Sequence, residues 1–199
     1  MRLAVAEHEA LSLILNRRSP SPRNLAEPVP SQAQLELMVP AAAASPAHKR
    51  LRPVRFMIIP AARRAELADA FRAAKLERDP ASSTEDLDRA AEKAFRGPML
   101  IAIVLHVLRD HPRVSVSDQM ISAGAAVQNM LLAAAALGFA GCLRSGGSAT
   151  SRKVREALRI AADEDVAAFL MIGKPTTSRG PRNDQVAGLL SVWSGKGGD

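Results

Sequence analysis

With 199 residues, of which 47% are apolar and 24% charged, the chain can bury a core of ordinary size, which excludes a disordered protein. Its single cysteine, Cys142, excludes an internal disulfide and a zinc site built on cysteine pairs, and it favours a reducing compartment such as the cytoplasm. The formal net charge of +7 favours anionic partners, nucleotide cofactors and nucleic acids alike, but an aromatic content of 3% leaves few rings to stack on bases.

Two segments could be mistaken for an export signal or a membrane span. The polar residues Glu7–Glu9 stand where a secretory signal carries its apolar core. In the apolar stretch 120–137, Ser122, Gln128 and Asn129 interrupt the run, and alanine supplies much of its bulk. We therefore expect a cytoplasmic protein without a membrane partner, in which the stretch 120–137 is a buried helix.

Apolar periodicity and capping residues predict helices along most of the chain. The first, over 5–15, stops at the polar run Asn16–Ser19, and a proline-rich extended stretch follows it. A capping-box pattern at Ser31 begins the second helix, which we expect Pro40 to bend or end. The others are predicted over 65–75, from a Thr84 cap through 95 to Gly97, over 118–137 with a left-handed cap at Gly138, and near 151–158.

Four short apolar runs are typical of strands, over 54–59, 99–107, 141–144 and 166–172. Strands separated by helices predict an α+β fold, a mixed sheet flanked by helices, in one domain over 1–199. The helix 118–137 is apolar almost all round, so we expect it to be buried on most sides and partly in a subunit interface. From about 175 the chain turns polar and glycine-rich, which indicates a mobile tail.

A basic cluster follows the first predicted helix. Arg17, Arg18 and Arg23 concentrate three guanidinium groups near the hydroxyl of Ser19. Guanidinium groups match phosphate oxygens in bidentate geometry, so the cluster is a candidate phosphate clamp. Arginines after a helix also complement its negative C-terminal dipole while lying in solvent. The residues by themselves leave both interpretations open.

Two later motifs accompany this cluster, and together they carry a family resemblance. The chain has Asn-Arg-Arg-Ser at 16–19, Pro-Ala-His-Lys at 46–49 before a strand, and Gly-Cys-Leu-Arg-Ser-Gly at 141–146 after a long helix. In this order and spacing, with Gly-Lys-Pro at 173–175, they resemble the FMN-dependent nitroreductase family, in particular its small single-domain members. The resemblance implies an α+β homodimer with FMN at the subunit interface, NAD(P)H as the reducing co-substrate, and a nitroaromatic or quinone-like electron acceptor.

The resemblance also implies roles for individual residues. The cofactor-binding set consists of Arg17, Arg18, Ser19 and, in a shifted register, Arg23 at the phosphate and ribityl chain; His48 from the other subunit; Leu143, Arg144 and Ser145 along the ring; and Arg179 and Arg182 near the phosphate. No catalytic side chain is implied, because the flavin performs the chemistry. Judged without the resemblance, these positions are equally consistent with a loop histidine bonded to backbone, a plain strand-to-turn transition, and solvated tail arginines.

The cysteine and the histidines give no sign of a nucleophile or a metal site, and two segments depart from the family pattern. Cys142 has no recognisable base beside it, and the histidines show no metal-ligand spacing, so we expect a structural cysteine and no metal. Ala44 stands where such proteins often carry an arginine, and Arg52-Pro53-Val54 replaces a Gln-Pro-Trp triplet. These departures favour, as an alternative, a flavin-binding protein with little or no turnover. The positive charge keeps a basic nucleic-acid-binding module as a second alternative, although no binding motif supports it.

Overall fold

The computed structural model describes residues 8–177 and 186–193. Within these residues the helices are α1 (Glu9–Asn16), α2 (Gln32–Ala43), α3 (Arg64–Arg78), α4 (Thr84–Ala91), α5 (Val116–Ala136) and α6 (Arg152–Ala157). The strands are β1 (Leu25–Ala26), β2 (Val54–Ile59), β3 (Met99–Leu105), β4 (Ala140–Arg144) and β5 (Asp165–Pro175). This mixture of helices and strands confirms the predicted α+β class.

The strands form an antiparallel sheet organised around β5. On one side β5 pairs with β3, which in turn pairs with β2, and on its other side β5 pairs with β4 and, further along, with β1. The register places Ile101 opposite Leu170 and Cys142 opposite Met171. Because β3 and β5 are interior strands covered on both faces, their side chains are apolar along most of their length. β4 pairs only with β5 among the described strands.

Each face of the sheet carries its own apolar core. Alternate residues of a strand point to opposite faces, so Phe169 and Cys142 pack with Leu67 and Phe71 of α3, while Leu170 packs on the other face against α2 and α5. The rings of Phe71 and Phe169 meet edge to face with centroids 5.4 Å apart. The sheet is therefore a rigid middle layer between two helical layers.

The long helix α5 begins two residues earlier than expected, at Val116, and one of its faces is buried within the chain. The Ser115 hydroxyl accepts from the backbone N–H of Asp118, whose carboxylate accepts in return, so the pair forms a capping box. Gly138 adopts φ +76° and provides the predicted left-handed cap. Within one chain, Met120 and Ile121 remain 46% and 71% exposed. Within one chain α2 and the sheet cover only one side of α5, so burial of its other side in a subunit interface stays a prediction.

Other boundaries also differ from those predicted. The helix α2 continues through Pro40 to Ala43 because the residues after Pro40 still find carbonyl acceptors one turn back. Ser83, not Thr84, caps α4, and a tighter 3-10 turn over Glu92–Phe95 replaces its expected continuation to Gly97. The short strand β1 was not predicted, since two residues carry no periodicity. In the part of the chain that the structure describes, no helix is long and apolar enough to cross a bilayer.

Candidate functional site

The first group of predicted site residues lies where α1 ends. The backbone N–H of Arg17 donates to the Leu13 carbonyl as the last helical hydrogen bond, and beyond it the chain turns extended. The guanidinium of Arg17 then donates through Nη1 to the Ser19 hydroxyl at 2.9 Å. Arg17 and Arg18 line a cavity of about 410 Å³. The structure thus brings a guanidinium and a hydroxyl together at the edge of a cavity, as a phosphate clamp requires.

Arg18 also serves the helix itself. Its Nη1 donates to the Leu15 carbonyl at 2.6 Å and to the Arg17 carbonyl at 3.1 Å. These bonds place positive charge on the C-terminal carbonyls of α1, where the helix dipole is negative. Arg18 is thus bound to the end of the helix, as the dipole interpretation expects, whereas Arg17 is bound to Ser19, and phosphate binding by the cluster stays a prediction.

The opposite wall of this cavity is the junction between α5 and β4. Leu131 and Ala135 contribute from α5, and Gly141 contributes from β4. A side chain at position 141 would place its Cβ 2.3 Å from Leu131 Cδ2, so glycine lets the helix and the strand approach closely. Lys174 ties the junction to β5, since its Nζ donates to the Gly138 carbonyl at 2.9 Å and lies 4.2 Å from the ring centre of Phe139.

The second group of predicted residues lies at the far end of β4. Leu143, Arg144 and Ser145 are exposed. Arg144 and Ser145 line a second cavity, of about 490 Å³, together with the turn 146–149 and the apolar side chains of Phe71 and Phe169. Gly146 adopts φ +144° in this turn, a conformation open mainly to glycine. The turn and the Arg144 side chain at the end of β4 thus line one concave surface.

The two groups do not share a cavity. The first cavity borders the α5 face of the sheet, and the second borders the α3 face, with β4 between them. Along a strand that rises about 3.3 Å per residue, the step from Gly141 to Arg144 is about 10 Å. An elongated molecule that follows the free edge of β4 would span both groups.

His48 lies elsewhere in the chain. It opens a 3-10 turn, His48–Arg50, in which Lys49 and Arg50 adopt positive φ angles of 53° and 59°. Its charge acts on Asp118 near the start of α5, where hydrogen bonds from Ser115 hold the pKa of the Asp118 carboxyl below its usual value, with a smaller contribution from His48. The wall near Arg17 is formed by the other end of α5. At 1.5 Å per residue, Asp118 and Ala135 are about 25 Å apart, so one chain does not bring His48 to Arg17.

The remaining predicted residues and the departures also have definite places. Arg23 is exposed in the turn Pro22–Asn24 and does not line the cavity of Arg17. Arg179 and Arg182 lie outside the described residues. Ala44 follows the last residue of α2, and Arg52, Pro53 and Val54 line a third cavity of about 280 Å³ beside α2 and α5. Within the described ranges, no three His, Cys, Asp or Glu residues are placed to hold a metal ion.

Sequence reasoning missed three cations of the second cavity. Arg78 ends α3, and Lys93 and Arg96 belong to or follow the 3-10 turn after α4. Basic residues are scattered over these amphipathic segments, and only the packing of α3 and α4 on the sheet selects which ones meet Arg144. No local motif could have marked them.

Comparisons with known proteins agree with this architecture. Residues 14–174 match the model of the Nitroreductase family. A protein of Escherichia coli (strain K12), YdjA, provisionally named an NAD(P)H nitroreductase, is 36% identical over 169 residues, which cover 84% of this chain and 88% of that protein.

Solved structures share the fold. A nitroreductase-like protein from Bacillus cereus superposes with a TM-score of 0.76 at 19% identity, over 94% of this chain and 97% of that one. A provisionally named nitroreductase from Desulfovibrio desulfuricans, solved in complex with FMN, gives a TM-score of 0.67 at 24% identity, over 92% and 95% of the two chains. On the family match and the identity to YdjA, this chain belongs to the nitroreductase family.

Proposed function

We propose that this protein is an FMN-dependent oxidoreductase that takes a hydride from NAD(P)H and passes electrons to a nitroaromatic or quinone-like acceptor. The observation that carries the proposal is the Arg17 guanidinium bound to the Ser19 hydroxyl at the rim of a cavity beside β4. Family membership and the FMN held by the Desulfovibrio desulfuricans structure support it. When bound, FMN supplies the redox chemistry, so the chain needs no catalytic side chain of its own.

The donor set fits a flavin mononucleotide. Arg17, Arg18 and Ser19 would hold the phosphate, because guanidinium and hydroxyl donors satisfy several of its oxygens at once. The backbone of 143–145 would lie along the ring, and the Arg144 side chain would stabilise negative charge that reduction places there. The step of about 10 Å along the edge of β4 matches a cofactor with its phosphate at one end and its ring at the other.

The second subunit has a definite role in this proposal. His48 lies near the start of α5 and Arg17 near its other end, and these two ends are about 25 Å apart along the helix axis, so in a homodimer His48 would complete the site of the partner and not its own. Apolar side chains on the uncovered face of α5, Met120 and Ile121, are available for burial against a second copy. Arg179 and Arg182 stay candidates for the phosphate, and we place the protein in the cytoplasm as a single domain.

A spectroscopic titration tests the proposal. The purified protein is mixed with FMN, separated from free flavin, and its visible spectrum is followed during anaerobic addition of NADPH or NADH. We expect retained flavin absorbance that bleaches on addition of a nicotinamide and returns on addition of a quinone. Failure to retain flavin at excess FMN contradicts the proposal, and salt-sensitive binding of DNA or RNA by that flavin-free protein would favour the nucleic-acid alternative instead.

The alternative of flavin binding without turnover rests on two positions near the third cavity. Ala44 presents no guanidinium after α2, and Val54 presents no aromatic ring to the 280 Å³ cavity. The family resemblance implies an arginine and a tryptophan at these two positions, and smaller apolar side chains replace both. Flavin that is retained but bleaches with neither nicotinamide would support this alternative.

A further inference from the structure

The 490 Å³ cavity at the end of β4 has a wall made of cations. Arg78 from α3 and Lys93 and Arg96 from the segment after α4 line it, and we call these three residues the cationic wall; Arg144 of β4, proposed above to face the flavin ring, lies beside them. No acidic side chain lines the cavity among the residues that the structure describes. Segments that are far apart in sequence thus converge with charge of one sign.

Among the described residues, no carboxylate neutralises the charge of this wall, although acidic partners neutralise nearby cations. Within the described ranges, no ion pair joins any wall residue to a carboxylate. On the same two helices, Arg72 pairs with Asp88, and Lys75 pairs with Asp79. Arg78, Lys93 and Arg96 thus have no such partner among the described residues, whereas the neighbouring Arg72 and Lys75 each have one.

The wall residues affect one another electrostatically. Burial lowers the pKa of the Lys93 ammonium, and the neighbouring charges of Arg96, Arg78 and Lys75 lower it further. Like charges held together raise the free energy of the protein alone, and an anion placed among them relieves that repulsion. The arrangement therefore gains stability from a bound anion.

The floor of the cavity is apolar, and its rim is a tight turn. Phe71, Phe169 and Met171 are core side chains that lie beneath the cavity and make its floor apolar. Arg78 packs against the turn at Gly147, where a Cβ would lie 2.7 Å from Arg78 Nη1. The glycine thus allows the guanidinium to lie against the rim of the cavity. Apolar floor and cationic wall together suit a flat organic molecule that carries an anionic group.

We propose that the cationic wall binds a carboxylate or phosphate group of a substrate that exchanges electrons with the flavin. The enzyme therefore prefers anionic substrates over neutral ones of the same shape. This inference rests on the proposed function. The anionic group has two sources, a phosphate of the nicotinamide dinucleotide or an acidic substituent of an aromatic acceptor.

The test uses matched ligands and matched variants of the FMN-loaded protein. The double variant Lys93→Gln/Arg96→Gln removes two charges of the wall, and Arg109→Gln/Arg113→Gln removes two charges from an exposed loop that lines none of the three cavities described here. Calorimetric Kd and steady-state KM are measured for 4-nitrobenzoate, for its neutral analogue 4-nitrobenzamide, and for NADPH and NADH. Calorimetry uses NADP⁺ and NAD⁺, which do not reduce the flavin.

Loss of two exposed charged contacts is expected to weaken an anionic ligand about tenfold, at about threefold per contact. The wall variant should therefore raise the Kd and KM of at least one anionic ligand about tenfold, and it should leave those of 4-nitrobenzamide within about twofold. An effect confined to 4-nitrobenzoate assigns the wall to the acceptor. An effect on NADPH alone assigns it to the 2′-phosphate, and an equal effect on both dinucleotides assigns it to the pyrophosphate.

Two results would overturn the inference. One is a wall variant that matches the loop variant for every anionic ligand, and the other is a wall variant that loses FMN itself, which would assign the wall to the cofactor. Both leave the flavin spectrum and bleaching of the unmodified protein intact, so they are distinguishable from a failure of the proposed function. If the double variant does not fold by circular dichroism, the exposed single variant Arg96→Gln provides the same comparison with about a threefold effect.

Discussion

The replacement of Arg17 by alanine tests the phosphate clamp most directly. It removes the guanidinium that donates to Ser19 and lines the 410 Å³ cavity. A hydrogen bond to a charged group contributes about 1.5 to 3 kcal/mol, so the Kd for FMN should rise about 10- to 150-fold. Because the Arg17 and Ser19 side chains meet near the surface, their lost contact should change the free energy of unfolding by less than about 1 kcal/mol.

Riboflavin isolates the phosphate from the ring in this experiment. It lacks the phosphate, so the Arg17→Ala substitution should leave the affinity for riboflavin within about twofold while it weakens FMN. The assay is quenching of flavin fluorescence, titrated at two salt concentrations, because a charge-dependent contact weakens as salt rises.

Arg23 provides the matched control. It lies six residues further along the same segment, exposed and away from the cavity lining. We expect Arg23→Ala to bind FMN within about twofold of the unmodified protein. Equal losses of FMN affinity in Arg17→Ala and Arg23→Ala, or equal losses of FMN and riboflavin affinity in Arg17→Ala, would refute the clamp.

Three further predictions concern stability and are measured by chemical unfolding. Arg64→Met should destabilise the fold by about 2 to 3 kcal/mol, since buried Arg64 donates to the carbonyls of Gly97 and Pro98, which would lose their partner. Gly173→Ala should destabilise by more than about 2 kcal/mol because its Cβ would lie 2.7 Å from the Ala26 carbonyl oxygen; an unchanged free energy of unfolding would contradict the packing. The Asp118 pKa is lowered in the folded state, so its stabilising contribution is present above about pH 4 and is lost as pH falls through the folded value; Asp118→Asn should flatten that acid limb.

Local patterns were sufficient to predict most elements of this fold. The strand over 54–59 was located at both ends, because β-branched and aliphatic residues closed by a proline form a strong local signal. The cap at Gly138 was likewise local, since only glycine adopts its positive φ without strain. The pairing of the strands was not local. The antiparallel order around β5 depends on contacts between residues far apart in sequence.

Site residues divide in the same way. Arg17, Arg18 and Ser19 were recognisable because they are consecutive, and short-range geometry suffices to join Arg17 to Ser19. The cationic wall was not recognisable, since its residues belong to segments that are separated along the chain and that meet only through packing.

The sequence by itself determined the class of the fold, the cap at Gly138, the motifs of the family resemblance and the phosphate-binding candidates, because each of these depends on residues that are close along the chain. Tertiary structure decided which face of α5 is buried within the chain, that the two ends of β4 open into different cavities, and that His48 and Arg17 lie at opposite ends of α5. These features depend on how helices pack on a sheet. Packing is a property of surfaces assembled from distant segments, and no single segment encodes it.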